Sequence, residues 1–293
     1  MHIETLKVFC DLSELLSFSK TADKNFLSQS AISQQLAQLE LQYNCQLINR
    51  KKRPIEPTKE GQILYRAFRD MIDRYEQLKG ELNALKTSGQ ARINVAAIYS
   101  IGMHTLPAYI KKFMVKNPKV NVHIEYFSPT KVYDLVLAGD FDIGLVAIPK
   151  KDKRLDVYDF EDEPLVLVCS PKHSFAAESE MDIHKIQFEP FVAFESDVPS
   201  RLWIDGILRR YGIIVRPVME FDNVETIKRA VEINVGVSIL PATTIIGEVS
   251  SGSLRAMPFS NENFSRPTGI IVRKNALRSN AVNSFVEVLQ KKA

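Results

Sequence analysis

Apolar positions recur along the chain in two rhythms, and the change between them divides it. From Thr58 to Lys86 the residues Leu64, Phe68, Met71, Tyr75, Leu78, Leu82 and Leu85 are spaced alternately four and three apart. That is a heptad stripe, flanked by Glu60, Arg66, Asp70, Arg74, Glu76, Lys79 and Glu81. A helix with one narrow apolar stripe and charged flanks needs a second helix against it. No other segment keeps so strict a period, so the expected partner is the same helix of a second subunit. Packing on the chain's own domain is the competing reading. Thr58 is placed to cap the helix, and Glu60 in its first turn suits the dipole.

Before this helix the pattern predicts three short ones. Leu6, Phe9, Leu12 and Leu16 fall near helical spacing over Glu4 to Leu16. Phe18 to Asn25 forms a second helix, expected to pack through Phe18, Ala22 and Phe26. Ser28 caps a third, in which Ile32, Leu36 and Leu39 face inward while Gln29, Ser30, Ser33 and Gln34 face out. Short hydroxyl and amide side chains on that outer face can bond to base edges and phosphates, as the second helix of a helix-turn-helix does. Thr21 and Ser28 join them as candidate DNA contacts. Leu47 to Thr58 then holds Pro54 and Pro57, which forbid helix and suit a hairpin or wing. Arg50, Lys51, Lys52 and Arg53 stand at its tip, placed for the phosphate backbone or the minor groove.

After the long helix the rhythm shortens. Residues 87–90 (TSGQ) read as a polar hinge. Compact apolar runs at Ile93–Ile98, Val120–Phe127 and Ile143–Ile148 alternate with helices through Leu106, Ile110 and Phe113 and through Thr130 to Ala138, the latter closed by Gly139. A second such unit follows, with strands at Leu165–Cys169, Phe191–Phe194, Val215–Phe221 and Val237–Leu240. Its helices fall near Ser200–Tyr211, Asn223–Glu232 and Ala242–Val249. Thr268–Val272 and Ala281–Leu289 add one more strand and helix. Such alternation predicts parallel sheets with right-handed crossovers. In open α/β sheets ligands sit beyond the carboxyl ends of the strands, where helix N-termini present free N–H groups. Those positions are Ser100, Ile101, Gly102, Ser128, Thr130, Ala147, Ser196, Arg201 and Asn223, a set suited to a small anion. Each hydroxyl could instead be a helix cap, and Arg201 a surface salt bridge.

Composition narrows this little. The formal net charge is +3, so the basic wing says more than the total. No run of about 18 apolar residues occurs, and the N-terminus MHIETLKVF has no apolar signal core, so a cytoplasmic location is expected. The three cysteines, Cys10, Cys45 and Cys169, are isolated, which argues against zinc, and only Cys169 lies in the second half, which argues against a redox pair. The five histidines are scattered, and no nucleophile elbow, P-loop or dinucleotide fingerprint occurs. No catalytic residue, metal or cofactor is therefore expected.

Several pieces resemble the LysR-type transcriptional regulators. They are Phe18-Ser19-Lys20-Thr21-Ala22, Leu27 to Ser33, Ile32 through Leu39-Glu40, and Pro57-Thr58-Lys59-Glu60-Gly61. Many members have Pro where this chain has Ser30 and Arg where it has Gln34. The resemblance implies a winged helix-turn-helix over 1–58, a linker and dimerisation helix with hinge over 59–90, and an effector-binding domain over 91–293. That domain would be two-lobed α/β, like periplasmic solute-binding proteins, with lobe one at 91–163 plus 267–293 and lobe two at 164–266. It also implies double-stranded promoter DNA, a small-molecule effector and RNA polymerase as partners, and a homodimer or homotetramer. The alternatives are a regulator or architectural DNA-binding protein that answers no ligand, and an enzyme with an accessory DNA-binding domain.

Overall fold

The computed structural model describes residues 2–86, 91–274, 276 and 278–291; side chains at 73, 76, 77 and 80–86 are not among those described. The expected hinge at 87–90 and the stripe residues Leu82 and Leu85 lie outside the described residues or side chains. The chain divides into two compact units, Met1–Asn83 and Ala84–Ala293.

The first unit runs α1 (Ile3–Leu15), α2 (Phe18–Asn25), α3 (Gln29–Tyr43), β1 (Ile48–Asn49), β2 (Glu56–Pro57) and α4 (Lys59–Lys86). Its core gathers Leu6, Phe9, Leu12, Ala22, Ile32, Leu36, Leu39, Leu47 and Ile48, with Phe68 and Ile72 from α4. The ring of Phe68 meets Phe9 edge-on at 5.7 Å. The heptad stripe thus splits. Phe68 is fully buried and Leu64 packs beside it, in the core of their own chain, whereas Met71, Tyr75 and Leu78 are exposed. A four-residue step from Leu64 to Phe68 to Ile72 defines the inward face; the three-residue steps of the heptad lead away from it. The tyrosine at 65 fastens α4 to α1 by donating its hydroxyl to Glu14 Oε1 at 2.8 Å. Burial, then the Glu14 carboxylate, push that phenol up to about 12.

Phe26 does not pack as expected. It ends α2 in the left-handed region with φ 54° and is 96% exposed, because the reversal turns its side chain away from the core. Wing and long helix are locked at Thr58. Its hydroxyl accepts from Gly61 N at 3.0 Å and donates to Gln46 O at 2.7 Å. A Cβ at Gly61 would stand 2.1 Å from the Leu47 carbonyl oxygen, so glycine is needed for this approach.

The second unit begins with β3 (Arg92–Ala97), a π-helical turn (Ile101–Thr105) continuing as α5 (Leu106–Lys116), β4 (Asn121–Tyr126), α6 (Pro129–Ala138) and β5 (Ile143–Ala147). Strand β6 (Leu155–Cys169) leads on to β7 (Pro190–Phe194), α7 (Pro199–Arg210), β8 (Arg216–Phe221), α8 (Val224–Glu232), β9 (Ser238–Pro241), α9 (Ile246–Ser251) and β10 (Arg255–Met257). The last elements are β11 (Ser265–Arg273) and α10 (Asn280–Gln290). Strand β3 pairs in parallel with β4 and β5, and β7 with β8, as expected. The remaining pairs are antiparallel: β11 with β5 and β6, and β6 with β9 and β10.

The fifteen-residue β6 is the main departure from the sequence reading, which saw a strand only from Leu165. Asp156, Asp159, Glu161, Asp162 and Glu163 break the apolar pattern over its first ten residues. Its two halves serve two separate cores. One gathers buried residues from Ile93 to Phe160 and from Ile270 to Leu289; the other gathers those from Leu165 to Phe264. Between them the chain crosses twice, along the middle of β6 and the start of β11.

Candidate functional site

In the first unit, Ser28 caps α3 by accepting from Ala31 N at 3.2 Å, and its Oγ lies 2.8 Å from that of Ser30. Gln29, Ser30 and Gln34 are exposed and Ser33 is half-buried, opposite the buried Ile32, Leu36 and Leu39. Thr21 does not belong to this face: it is fully buried and its hydroxyl donates to Ser17 O at 2.7 Å. Glu40 ties α3 to the wing by accepting from Leu47 N at 2.9 Å and from Arg50 Nη2 at 3.2 Å. The Arg50 guanidinium also lies 5.8 Å from the centre of the Phe18 ring, so this arginine is partly engaged by its own chain. Lys52 pairs with Glu56 across the wing at 2.5 Å. Lys51 and Arg53 are exposed. The helix end thus presents amides and hydroxyls, with cations beside it, and neither group is occupied in the core.

In the second unit a cleft of about 370 Å³, counting its open mouth, lies between the two cores. Apart from Arg266 at the start of β11, its walls are residues at or just past the carboxyl ends of the five parallel strands. Ile98, Tyr99 and Ser100 follow β3, Phe127 and Pro129 follow β4, and Ala147 ends β5. Phe194, Val198, Pro199 and Ser200 follow β7, and Asp222, Asn223 and Val224 follow β8. Aromatic and proline walls with a few convergent polar groups, at the carboxyl ends of parallel strands, are the lining of a small-molecule site.

Of the sequence-derived positions, Ser100, Ala147 and Asn223 line this cleft. Asn223 is also a cap, its Oδ1 accepting from Glu225 N and Thr226 N. Ile101 and Gly102 sit just behind the wall, buried. A Cβ at Gly102 would fall 2.4 Å from the Tyr126 ring, which itself packs on Tyr99. Ser128 and Thr130 flank Pro129 but are exposed, outside the lining. Ser196 is exposed as well. Arg201 turns elsewhere: it binds Asp205 at 2.9 Å, Glu220, and the Phe194 carbonyl oxygen at 2.6 Å. The salt-bridge alternative describes it.

Sequence reasoning missed the centre of the cleft. Arg266 is 2% exposed and donates Nε to Glu163 Oε2 at 2.8 Å, Nη1 to Ser200 Oγ at 2.8 Å and Nη2 to Ser100 Oγ at 2.7 Å. Thr105 donates its hydroxyl to the other Glu163 oxygen at 2.9 Å. One buried guanidinium therefore joins the turn after β3, the start of α7 and the two crossing strands. Nothing in the local pattern marks Glu163 or Arg266, since their meaning lies in a contact 103 residues apart in sequence. A second link across the cleft runs from His104 Nε2 to Glu225 Oε1 at 2.8 Å, and from Glu225 to the buried Lys228 at 2.9 Å. Burial alone would raise the Glu225 carboxyl, but the hydrogen bonds from His104 and Lys228 and the lysine charge outweigh it and hold it below the usual range. Lys228 is completed by Glu248 at 2.9 Å and the Thr244 carbonyl at 3.0 Å. Cys169 is buried in the second core and pushed up to about 11, mainly by burial, which keeps it an inert thiol.

A winged helix-turn-helix on one chain with a two-core α/β unit enclosing a small-molecule cleft defines a class, the ligand-binding transcriptional regulators. The chain belongs to the LysR family within it: residues 3–62 match the bacterial regulatory helix-turn-helix protein of the lysR family, and residues 86–293 match the LysR substrate binding domain. A probable RuBisCO transcriptional regulator of Trieres chinensis is 27% identical, covering 98% of this chain and 96% of that protein. The HTH-type transcriptional regulator CysL of Bacillus subtilis (strain 168) is 24% identical, covering 92% and 91%. The regulatory domain of Synechocystis PCC6803 CcmR, solved in complex with 2-PG, superimposes with a TM-score of 0.61 at 22% identity, covering 69% of this chain and 96% of that one. The protein is a DNA-binding transcriptional regulator with an effector-binding domain. Among the described residues no helix is long and apolar enough to cross a membrane.

Proposed function

We propose that two chains pair through the exposed face of α4 carrying Met71, Tyr75 and Leu78, and that the pair reads two half-sites of promoter DNA. Two recognition helices on one face of a duplex engage half-sites about 34 Å apart, or a multiple of that. In each chain Gln29, Ser30, Ser33 and Gln34 face base edges and phosphates in the major groove, while Lys51, Lys52 and Arg53 hold the backbone. An effector in the cleft favours one arrangement of the two cores, and the shift is bounded by its differential affinity, with coupling of ~1–3 kcal/mol. Contacts with RNA polymerase at the promoter then change. The cleft carries recognition and no chemistry, the protein is not an enzyme, and its place of work is the cytoplasm. The relative named as a probable RuBisCO transcriptional regulator and the CcmR regulatory domain solved in complex with 2-PG make small metabolites the first effectors to test.

The observation that carries the DNA reading is the exposed polar face of α3, capped by Ser28 and backed by a buried apolar face. Its test is a binding selection with the full chain and its Gln29→Ala variant. Loss of a base contact should cost about 1–3 kcal/mol at one base pair of each half-site and little elsewhere. A uniform loss across all sequences would make Gln29 a backbone contact.

A further inference from the structure

The four cations of the wing are not equally free. Lys51 and Arg53 are exposed. Lys52 pairs with Glu56, but both side chains are largely in water, and such pairs yield readily. Arg50 is held differently. Its Nη2 donates to Glu40 Oε2 at 3.2 Å, and its guanidinium stands 5.8 Å from the centre of the Phe18 ring. The carboxylate that holds it is itself anchored. Glu40 Oε1 accepts from Leu47 N at 2.9 Å and from Ile48 N at 3.4 Å, and the side chain is 18% exposed. Glu40 also sits in the last turn of α3, where the partial negative charge of the helix end disfavours a carboxylate. Helix electrostatics therefore do not account for this residue; the backbone donors of the wing and Arg50 do.

We propose that Glu40 limits the sequence-independent part of DNA binding by keeping the Arg50 guanidinium off the phosphates. The inference rests on the wing and α3 being the DNA-binding face. A cation that reaches a phosphate releases counterions, and each such contact adds about 0.9 to the salt slope of binding. Arg50 must leave both an anchored carboxylate and an aromatic face to make that contact. A surface ion pair is usually a weak hold, because two long side chains lose their freedom in forming it. Here the carboxylate is already fixed by the backbone, and the ring adds a cation–π attraction. The wing then offers DNA Lys51, Arg53 and a loosely held Lys52, while the base contacts of α3 are left as they are. Restraint of this kind suits a regulator, because non-specific sites far outnumber its own.

The test is a double-mutant cycle in the full chain, read as affinity for a mixed-sequence duplex against salt. Glu40→Gln keeps an oxygen for Leu47 N, turns an amide donor toward Arg50 and removes a like charge from the helix end, so the unit should still fold. It should bind the duplex more tightly than the native chain and steepen the slope by up to about one per bound chain. Its advantage should then fall roughly 3.5-fold as salt rises from about 50 to about 200 mM. Arg50→Ala alone should lower the slope by clearly less than about one, and Glu40→Gln added to it should change the slope little. The base preference recovered by selection should be the same for the native and Glu40→Gln chains. Phe18→Leu removes the ring and keeps the carboxylate. It should act as Glu40→Gln does, more weakly and only while Arg50 is present, and it serves as the test should Glu40→Gln fold poorly. An equal gain from Glu40→Gln with and without Arg50 would mean that the carboxylate acts through its own charge on the DNA, and the proposal falls. It falls too if neither Glu40→Gln nor Phe18→Leu steepens the slope, or if the selected sequence changes. In each of those cases the chain still binds DNA, and the reading of the wing and α3 stands. A native chain with no salt-dependent binding to any duplex would overturn that reading and this inference together.

Discussion

The two units treat positive charge in opposite ways. On the wing, Lys51 and Arg53 are exposed and cost nothing to keep solvated, so they remain available to a polyanion. In the cleft, Arg266 is 2% exposed and could not be buried without Glu163. An exposed cation can bind by charge; a buried one is spent on its counter-ion and acts through what it orients. The fold of the first unit should therefore tolerate the loss of Lys51 or Arg53, whereas that of the second should not tolerate the loss of Arg266.

The sharpest way to break this contrast is to remove the buried member. Arg266→Met should destabilise the effector unit by about 3–5 kcal/mol, because Glu163 is left buried and unpaired. Pairing it with Glu163→Met should recover most of that loss; chemical denaturation of the three variants measures both steps. If Arg266→Met alone leaves the denaturation midpoint unchanged, the pair is not the structural centre of the cleft. In the first unit the comparable loss comes from packing. Phe68→Ala empties a fully buried ring site shared by α1, α3 and α4, at a cost of about 3–5 kcal/mol. Tyr75→Ala on the exposed face of the same helix should leave the unit's unfolding nearly unchanged and weaken self-association in sedimentation instead. Equal unfolding losses from both would deny α4 its two faces.

The same contrast explains what the sequence disclosed. The recognition helix was legible because its chemistry is local: a cap, a 3.6 period and a basic tip lie within thirty residues. The cleft's walls were legible through topology, since Ser100, Ala147 and Asn223 fall just past strand ends. Ser200 falls inside the expected stretch Ser196 to Arg201, but only Ser196 and Arg201 were singled out in it, because proximity to a strand end does not fix which side chain turns inward. Arg266 and Glu163 left no local trace. Glu163 stood among acidic residues that looked like solvated surface, and Arg266 sat in a segment with no visible period. Thr21 and Phe26 misled for a related reason: polarity suggested exposure and aromaticity suggested burial, and helix geometry reversed both.

A wing cation gives a smaller effect than either core change. Arg53→Ala should weaken all DNA sequences alike and lower the salt slope of binding by about one, as expected for a lone phosphate contact. Arg50→Ala should lower it by less, since Arg50 is partly held by Glu40 and by the Phe18 ring. Titrating binding against salt for both variants decides; an equal fall in slope would mean that the Glu40 contact opens when DNA arrives.

The smallest expected effect separates the two links across the cleft. The link from His104 to Glu225 depends on a carboxyl held below its ordinary value of 4.5. A group depressed on folding contributes stability that is present above its unfolded pKa and is lost as the pH falls through the folded one. The melting temperature of the effector unit should therefore drop more steeply below pH 4.5 in the native chain than in Glu225→Gln. The other groups facing this carboxyl, Lys228 and beyond it Glu248, are common to both proteins, so the difference between the curves isolates Glu225. The difference should be modest, because the Glu225 side chain is 26% exposed and water screens it. Parallel curves would leave the Arg266 cluster to carry the connection between the two cores.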